Sequence, residues 1–282
     1  MLGFTIDDVN LNALSKEDFL KIRKLIPEHG VVLIKNQNLT IDSLVKITHQ
    51  FGEPVLLPEG LRFKNVEKSY PEIARVSNIL ADGTLLKNHK AAEYWHSDGD
   101  FWQPGRNFIF NILYSEVVPK EGGQTGFVDL RDAYESLPSQ IKLDLEEKSV
   151  LVCCDDIPDF IDAKKEERQP DARHKVKHTH IETGRIGLYF GHTKASIDSV
   201  SEATSNKIMN ELVKAIENPA IQYIHEWEKG DVLIWDNTSV MHRGMGGYAN
   251  YPRVLFRTQA FVKPNLEFAQ NNYSDKLNLQ DH

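Results

Sequence analysis

The sequence predicts an α+β fold in which helices flank an antiparallel β-barrel or β-sandwich. Apolar residues at helical spacing occur near the beginning of the chain and again over 201–217. Between and after these segments lie many short runs rich in apolar and β-branched residues, separated by turns that contain glycine. We therefore expect strands to form the core and helices to cover it.

The helices are predicted from capping residues and apolar spacing. Ser15 is followed by two acidic residues and a series of apolar positions, which is typical of a capped amphipathic helix, and Gly30 is expected to end it. A second helix is expected to begin near Thr40 and to end at the Gly-Glu-Pro turn of 52–54. The clearest helical pattern covers 201–217.

The strands are predicted from short apolar runs between turns. In the first half of the chain they cover 31–35, 73–80, 107–118 and 150–154, with a further strand around Phe127. In the second half they cover a hairpin at 182–191 and single strands at 221–227, 231–236, 239–244 and 253–262. Residues 129–148 are predicted to be helical, with an interruption at Pro138, after which Ser139 caps the second part.

Residues 155–180 differ from the rest of the chain because they are polar, highly charged and poor in apolar residues. We expect a surface excursion that acts as a lid, and residues 55–95 are the alternative segment for that role. The histidines of the excursion, predicted to be exposed to solvent, are His174, His178 and His180. Because no repeat or linker is found elsewhere, residues 1–282 are predicted to form a single domain.

The composition argues against several classes of function. The net charge of −8 and the lack of a basic cluster argue against a nucleic-acid partner, and no apolar run has the length of a membrane span. Cys153 and Cys154 are adjacent and too few for a disulfide framework, and the N-terminus has no secretory pattern. A cytoplasmic protein is therefore expected, and whether it forms a homo-oligomer is left open.

The segment YWHSDGDFW (94–102) places His96 and Asp98 two residues apart. In an extended chain both side chains point to the same side, so one metal ion can take a nitrogen and an oxygen from them. His242, at the end of a predicted strand, can supply a third ligand. Two histidines and one carboxylate with open positions beside them are typical of non-haem iron(II) oxygenases.

Three hypotheses remain open on this pattern alone. A His-x-Asp pair is a weak signal because the chain has eleven histidines. The triad fits an iron oxygenase, but a metal-dependent hydrolase or lyase that uses zinc can employ the same ligands. A non-catalytic barrel that only binds a small molecule is the third hypothesis. A site for an anionic co-substrate distinguishes the oxygenase from the other two.

The predicted strand RVLFRTQAF carries two arginines that suit such a site. Alternation places Arg253, Leu255 and Arg257 on one face of this strand. Val254 and Phe256 lie on the other face, so the strand is expected to be buried on both sides. Two guanidinium groups in an interior are costly unless anions bind there, and the planar fork of arginine matches a carboxylate.

Four sequence blocks in fixed order resemble the taurine dioxygenase (TauD/TfdA) family of iron(II)- and 2-oxoglutarate-dependent oxygenases. The blocks are WHSD (95–98), GGQT (122–125), WDN…H (235–242) and PRVLFRTQ (252–259). The resemblance implies that His96, Asp98 and His242 bind iron(II). It also implies that Thr125 contacts 2-oxoglutarate and that Arg257, which follows the second histidine ligand by about fifteen residues, pairs with the far carboxylate of this co-substrate.

The resemblance further implies a double-stranded β-helix (jelly-roll) core and a requirement for iron(II), 2-oxoglutarate and O2. The implied reaction is hydroxylation or desaturation of a small molecule, with decarboxylation of 2-oxoglutarate to succinate. Arg253 matches the arginine that pairs with the sulfonate in the taurine enzyme, so a small-molecule substrate with an anionic group is expected. Ala92 stands where that enzyme has an asparagine, which argues against taurine itself.

Residues around the expected ligands receive less specific predictions. Asp236 and Asn237 are expected to shape the turn and support the ligands rather than to bind metal. Asn111 is expected either to contact co-substrate or substrate or to face elsewhere in the sheet. The aromatic residues expected to line the pocket or to pack in the core beside it are Tyr94, Trp95, Phe101 and Trp102.

Overall fold

The computed structural model describes residues 1–56, 69–80, 82–87, 92–105, 108–152 and 171–265. The α-helices in these ranges are α1 (Lys16–His29), α2 (Ile41–Phe51), α3 (Leu130–Ser136), α4 (Ser139–Asp144) and α5 (Glu202–Ile216), with short 3-10 helices at Leu11–Ala13 and Pro219–Ile221. The strands are β1 (Phe4–Ile6), β2 (Val31–Ile34), β3 (Glu53–Pro54), β4 (Ala74–Ser77), β5 (Ile109–Val117), β6 (Thr125–Asp129), β7 (Ser149–Val152), β8 (Ala172–Lys175), β9 (Lys177–Thr179), β10 (Ile186–Leu188), β11 (Ser196–Ile197), β12 (Gln222–His225), β13 (Val232–Asp236), β14 (Val240–Gly244) and β15 (Val254–Phe261). Within the described ranges, no helix is both long enough and apolar enough to cross a membrane.

The largest sheet has the strand order β1-β2-β13-β5-β15-β3, and β4 also pairs with β15. Its neighbouring strands are antiparallel except for β1 and β2. Helices α1 and α2 cover one face of this sheet and bury an apolar layer that includes Ile22, Ile34 and Phe110. The opposite face of the sheet is therefore left to line an interior.

A second layer of strands closes that interior. One sheet of this layer has the strand order β12-β6-β14. The remaining strands form the β11-β7-β8 sheet and the β9-β10 hairpin. Side chains from both layers, including Phe127, Trp235 and Leu255, pack together and are almost fully buried. Helices α3, α4 and α5 bury a separate apolar layer against β6 and β14. Antiparallel sheets around an apolar interior, with helices outside, confirm the predicted α+β architecture.

The helix starts follow the predicted caps with one exception. Ser15, Thr40 and Ser201 each accept a hydrogen bond from the backbone N–H three residues further on. The cap predicted at Ser139 is wrong, because Ser139 is itself the first residue of α4 and Pro138 occupies the capping position without a side-chain hydrogen bond. Proline has no N–H to lose there and its φ of −56° suits the start of a helix.

The prediction that residues 171–180 form an exposed excursion is wrong. They form β8 and β9, and His174 and His180 are only 3% and 2% exposed. Nε2 of His174 lies 2.7 Å from the carbonyl oxygen of Asp100, and Nε2 of His180 lies 2.6 Å from the carboxylate of Asp236. The charged neighbours misled the prediction because alternation along β8 turns Arg173 and Lys175 to solvent while Ala172 and His174 turn inward.

The segments predicted as lids are described only in part. Residues 57–68, 81, 88–91 and 153–170 lie outside the described ranges. The described part of the second segment belongs to the sheets, so residues 171–180 are not available as a lid. A lid formed by the remaining residues stays a prediction.

Acid should destabilise the metal-free protein through His178. Burial and the charge of His180 lower the pKa of His178 from its ordinary 6.5 to about 4. The unfolded state therefore binds more protons than the folded state between these two pH values, so stability is lost as the pH falls through that window. We expect His178 alone to contribute a loss of about 2 kcal/mol between pH 7 and pH 5, measured by denaturant unfolding. His178→Gln should reduce the loss of the wild type by this amount and leave the contribution of His242, whose pKa is also lowered, and an unchanged pH dependence in this variant would contradict the assignment.

Candidate metal centre

The three predicted metal ligands converge in the structure. His96, Asp98 and His242 each offer a ligand atom, and these atoms lie within 4.8 Å of one another. His242 belongs to β14, and His96 pairs with it as an antiparallel bridge in which each N–H donates to the other's carbonyl oxygen, at 3.1 and 2.9 Å. Asp98 follows two residues later in a turn. Backbone pairing therefore brings together two ligands that are far apart in sequence.

The orientation of the rings leaves nitrogen lone pairs for a metal ion. Nδ1 of His96 donates to the carbonyl oxygen of Tyr94 at 2.9 Å, since a carbonyl can only accept, so Nε2 is the unprotonated nitrogen. Nε2 of His96 lies 3.9 Å from Oδ1 of Asp98, and Nε2 of His242 lies 3.7 Å from Oδ2 of the same carboxylate. One ion with bonds of about 2.1 Å to each ligand can bridge these gaps.

The electrostatics of the site favour a divalent cation. Burial alone would raise the pKa of Asp98, but Arg257, His242 and His96 together hold that pKa below its ordinary value. Burial, with a contribution from His96, lowers the pKa of His242 to about 3, so this imidazole is neutral. A carboxylate and a neutral imidazole need lose no proton before they bind a metal ion.

One unpartnered atom shows that the residues fit the predicted ion. Oδ2 of Asp98 is buried and has no hydrogen-bond partner among the residues described. Such an atom carries the full cost of desolvation unless a cation or a donor satisfies it. Two imidazole nitrogens and one carboxylate oxygen form the donor set of non-haem iron(II) sites. The triad therefore fits iron(II) both in geometry and in donor chemistry.

Asp236, Asn237 and Asn111 lie behind the ligands. The carboxylate of Asp236 accepts hydrogen bonds from the N–H and the hydroxyl of Thr238 at 2.9 and 2.6 Å. The amide of Asn237 contacts the backbone of Asp98 at 2.6 and 2.9 Å. Asn111 is fully buried and donates to Asn237 at 3.0 Å, so its side chain supports the centre from within the sheet.

The aromatic residues next to the ligands are mostly part of the core. Trp95 is 1% exposed and packs in the apolar layer under α3, α4 and α5. Trp102 lies against Phe261 of β15, with ring centroids 6.0 Å apart. Tyr94 has its ring 5.1 Å from that of His96.

Arg253, immediately before β15, and Arg257, within it, have different surroundings. Leu255, between them, packs in the interior between the sheets, as the alternation predicts. Arg257 donates from Nη1 to Oδ1 of Asp98 at 2.8 Å. Arg253 is 4% exposed, and no carboxylate of the described residues pairs with it, while the Nε atoms of both arginines are buried without a hydrogen-bond partner. Burial lowers the pKa of Arg253, while Tyr248 opposes that shift.

Arg253 lies against the turn that carries Thr125. A Cβ atom on Gly123 would lie only 3.2 Å from Cδ and Nε of Arg253, and the φ of Gly123 is +76°, so this position requires glycine. Thr125 begins β6, and its Oγ1 accepts a hydrogen bond from Nε1 of Trp227 at 3.0 Å. The turn of Thr125 thus neighbours Arg253, whereas the resemblance paired Thr125 with Arg257.

Comparison with known proteins identifies the family. The family model described as "Taurine catabolism dioxygenase TauD, TfdA family" matches residues 2–259. The chain belongs to this family. A TauD/TfdA-family relative, the alpha-ketoglutarate-dependent 2,4-dichlorophenoxyacetate dioxygenase of Cupriavidus pinatubonensis, is 29% identical over 85% of this chain and 87% of the relative. The (S)-phenoxypropionate/alpha-ketoglutarate-dioxygenase of Delftia acidovorans is 27% identical over 95% of this chain and 94% of the relative.

Solved structures share the fold. The crystal structure of AAD-2 in complex with Mn(II) and N-oxalylglycine superposes with a TM-score of 0.78, at 23% identity over 93% of this chain and 96% of that chain. A putative alpha-ketoglutarate dependent 2,4-D dioxygenase from Burkholderia xenovorans gives a TM-score of 0.74 at 24% identity, over 92% and 93%. The predicted double-stranded β-helix, or jelly-roll, core is thereby confirmed.

Membership of the TauD/TfdA family also decides between the three hypotheses for the triad. The predicted class is confirmed: the chain is an iron(II)- and 2-oxoglutarate-dependent dioxygenase that uses O2. A zinc-dependent hydrolase or lyase and a non-catalytic binding barrel are no longer needed to explain the site.

Sequence reasoning missed two residues of the site. Trp227 donates to Thr125, and Gln259 donates to Asn111 at 2.6 Å. Trp227 stands in a strand-like run where an aromatic residue is expected for packing alone, so nothing in the sequence marked it. Gln259 carried a usable signal, because an amide in an otherwise apolar strand must find a buried partner.

Proposed function

We propose that the enzyme holds iron(II) through His96, Asp98 and His242 and uses it with 2-oxoglutarate to hydroxylate or desaturate a small organic anion. The observation that carries this proposal is the convergence of the three donors around a buried, unpartnered carboxylate oxygen. When bound, iron(II) and 2-oxoglutarate supply the activation of O2 that C–H oxidation requires, with succinate and carbon dioxide as by-products. The chain supplies the position of each ligand and an apolar interior that excludes water.

The far carboxylate of 2-oxoglutarate is assigned to Arg253 rather than to Arg257. A buried guanidinium without a carboxylate partner is costly unless an anion binds beside it. Arg253 meets that description, and the turn of Thr125 lies next to it. Arg257 already has an anionic partner in Asp98. Burial and contacts therefore support Arg253 as the partner of 2-oxoglutarate and leave Arg257 for the substrate, which is the reverse of what the resemblance implied.

Trp227 orients the hydroxyl of Thr125 toward this anion. An indole N–H can only donate, so it occupies a lone pair of the threonine oxygen at 3.0 Å. The hydroxyl hydrogen of Thr125 is then left to donate to another group. Both side chains are buried, with 4% and 8% exposure, so water does not compete for these bonds. Thr125 is thereby held as a donor, the role that a carboxylate co-substrate requires.

Trp227→Phe should weaken 2-oxoglutarate binding about fivefold, because a neutral buried hydrogen bond contributes about 1 kcal/mol. Phenylalanine keeps an aromatic ring at this buried position, although a smaller one, and removes the N–H donor. Calorimetric titration of the Mn(II)-loaded enzyme measures the affinity, and the affinity for Mn(II) itself should not change. Thr125→Val is the matched partner for a double-mutant cycle. If the two effects simply add, Trp227 does not act through Thr125.

Arg257 is proposed to meet the anionic group of the substrate. Its guanidinium contacts Asp98, so an anion bound to it lies next to the metal position. The side chain of Arg257 is 17% exposed, which makes it more accessible than Arg253. The relatives named for 2,4-dichlorophenoxyacetate and (S)-phenoxypropionate act on carboxylic acids, and another is named as a sulfate ester dioxygenase. An aryloxyalkanoic acid is therefore the first candidate, ahead of sulfate esters.

A succinate-release assay tests the substrate class. The panel contains aryloxyalkanoic acids, alkyl sulfonates and alkyl sulfate esters, with the methyl ester of each acid as a neutral control. We expect succinate above the substrate-free background with an anion and not with its neutral ester. Product masses then separate a gain of one oxygen from a loss of two hydrogens. Equal turnover of an acid and its methyl ester would contradict the role of the anionic group.

The remaining features stay predictions from the sequence. A single domain over residues 1–282, a cytoplasmic location and the absence of a nucleic-acid partner are expected on composition and charge. Limited proteolysis measures the domain organisation, and light scattering measures whether the chain is a homo-oligomer.

A further inference from the structure

The ligand Asp98 lies in a turn and not in a strand, so its position needs another explanation. Its backbone N–H donates to Oδ1 of Asn237 at 2.9 Å, and its carbonyl oxygen accepts from Nδ2 of Asn237 at 2.6 Å. One side-chain amide thus bonds to both backbone groups of the ligand residue. It takes the place that a neighbouring strand would occupy in a sheet.

The direction of these hydrogen bonds fixes two further amides. Because the backbone N–H can only donate and the carbonyl can only accept, the amide of Asn237 has one possible orientation. Its oxygen also accepts from Nδ2 of Asn111 at 3.0 Å, which leaves the oxygen of Asn111 to accept from Nε2 of Gln259 at 2.6 Å. Gln259, Asn111 and Asn237 therefore form a directed series of hydrogen bonds, hereafter the amide chain, that ends on Asp98.

The amide chain connects Asp98 to the central strands of the large sheet. Asn111 on β5 lies opposite Gln259 on β15 and opposite Trp235 on β13, two residues before Asn237. Asn111 and Asn237 are fully buried, and Gln259 is 9% exposed. Burial of an amide costs free energy unless its hydrogen bonds are made. Only one arrangement of the three side chains makes all the bonds of this series, so the series stabilises that arrangement.

We propose that the amide chain is a positioning device for the metal ligand Asp98, with Asn237 as its terminal positioning residue. The inference rests on the proposed role of Asp98 as a ligand. The side chain of Asp98 is also bonded to Arg257. If the hydrogen bonds from Asn237 to the backbone of Asp98 are lost, the ion pair with Arg257 can draw the turn toward Arg257. Oδ2 of Asp98 then moves away from His96 and His242, and the affinity for the metal ion falls.

Substitutions at both ends of the amide chain test this inference. Asn237→Ala removes the contact with Asp98 and should lower the affinity for Mn(II) about 10- to 100-fold, the range typical of residues that hold metal ligands. Gln259→Glu puts a carboxylate oxygen against the oxygen of Asn111, so the series can no longer keep its direction. Gln259→Met removes one hydrogen bond without that conflict. We expect Gln259→Glu to lower the affinity about tenfold, and Gln259→Met to lower it less.

Thr258→Val is the matched control for a general loss of stability. Thr258 is next to Gln259 on β15, is 1% exposed and shares a hydrogen bond of 2.6 Å with the hydroxyl of Thr48 on the other side of the sheet. This variant should lower the melting temperature while the affinity for Mn(II) stays at the wild-type value. Titration followed by the electron paramagnetic resonance signal of free Mn(II) measures the affinity, and thermal unfolding measures stability.

The outcomes separate this inference from the proposed function. If His96→Ala binds Mn(II) like the wild type, the triad is not the metal site and the proposed function fails. If His96→Ala loses Mn(II) but Asn237→Ala and Gln259→Glu bind it normally, only the role of the amide chain fails. If Asn237→Ala does not fold, the two Gln259 variants test the inference instead. The affinity for Mn(II) should then be lower in Gln259→Glu than in Gln259→Met. An affinity loss in Thr258→Val equal to that of Gln259→Glu would overturn the inference.

Discussion

Asp98→Asn should abolish turnover and lower the affinity for Fe(II) at least about 100-fold. The amide keeps the size of the side chain, but it replaces the one anionic member of the triad by a neutral group. It also leaves Arg257 without its anionic partner, so a cation at the site meets an unpaired guanidinium. Anaerobic Fe(II) titration and succinate release measure the two losses.

Asp100→Asn is the matched control for this prediction. Asp100 belongs to the same turn and is 5% exposed. Burial and the charge of Asp98 raise its pKa to about 7, so in a titration at pH 6 this group is largely protonated. Its replacement by a neutral amide changes the charge of the site little, and Fe(II) affinity should stay close to that of the wild type. Equal losses in both variants would show that the turn, and not the carboxylate of Asp98, was damaged.

Arg253→Gln should weaken 2-oxoglutarate binding by about 100-fold or more, because breaking a buried charge pair costs at least about 3 kcal/mol. Fe(II) affinity should be retained, since Arg253 pairs with none of the described carboxylates. Arg253→Lys should fall between the wild type and Arg253→Gln, because lysine keeps the charge but loses the planar fork. Calorimetric titration of the Mn(II)-loaded enzyme measures all three affinities.

Arg257→Gln should affect the substrate and not the co-substrate, the opposite of Arg253→Gln. Turnover of an anionic substrate should fall, while 2-oxoglutarate still binds and is slowly decarboxylated without substrate. If Arg257→Gln loses 2-oxoglutarate and Arg253→Gln does not, the roles implied by the family resemblance are correct. The exchange of roles proposed from burial would then be wrong.

Local patterns in the sequence were sufficient for the parts of the fold that short-range chemistry determines. The caps at Ser15 and Thr40 and the two strands around the turn that precedes His242 all follow from neighbouring residues. Within the triad only His96 and Asp98, two residues apart, form a local pattern, and His242, the middle residue of β14, was joined to them through the family resemblance. The caps, the strands and the His-x-Asp pair each depend on residues within a few positions of one another.

Long-range contacts account for what the sequence could not predict. Arg257 lies in β15 and Arg253 immediately before it, both on the side of Leu255 by alternation, so alternation cannot tell which of them meets a carboxylate already present in the protein. The burial of His180 depends on Asp236, which is 56 positions away in the chain. The amide chain likewise joins β5, β15 and the turn after β13, and no single segment carries its pattern.

The most direct test of the proposed site is the anaerobic addition of Fe(II) and 2-oxoglutarate. Chelation of iron by the keto acid gives a weak visible charge-transfer band, which neither component gives alone. We predict this band at one equivalent of Fe(II) in the wild type, and its loss in Asp98→Asn. A protein that binds Fe(II) fully but develops no band with saturating 2-oxoglutarate would contradict the assignment of the site.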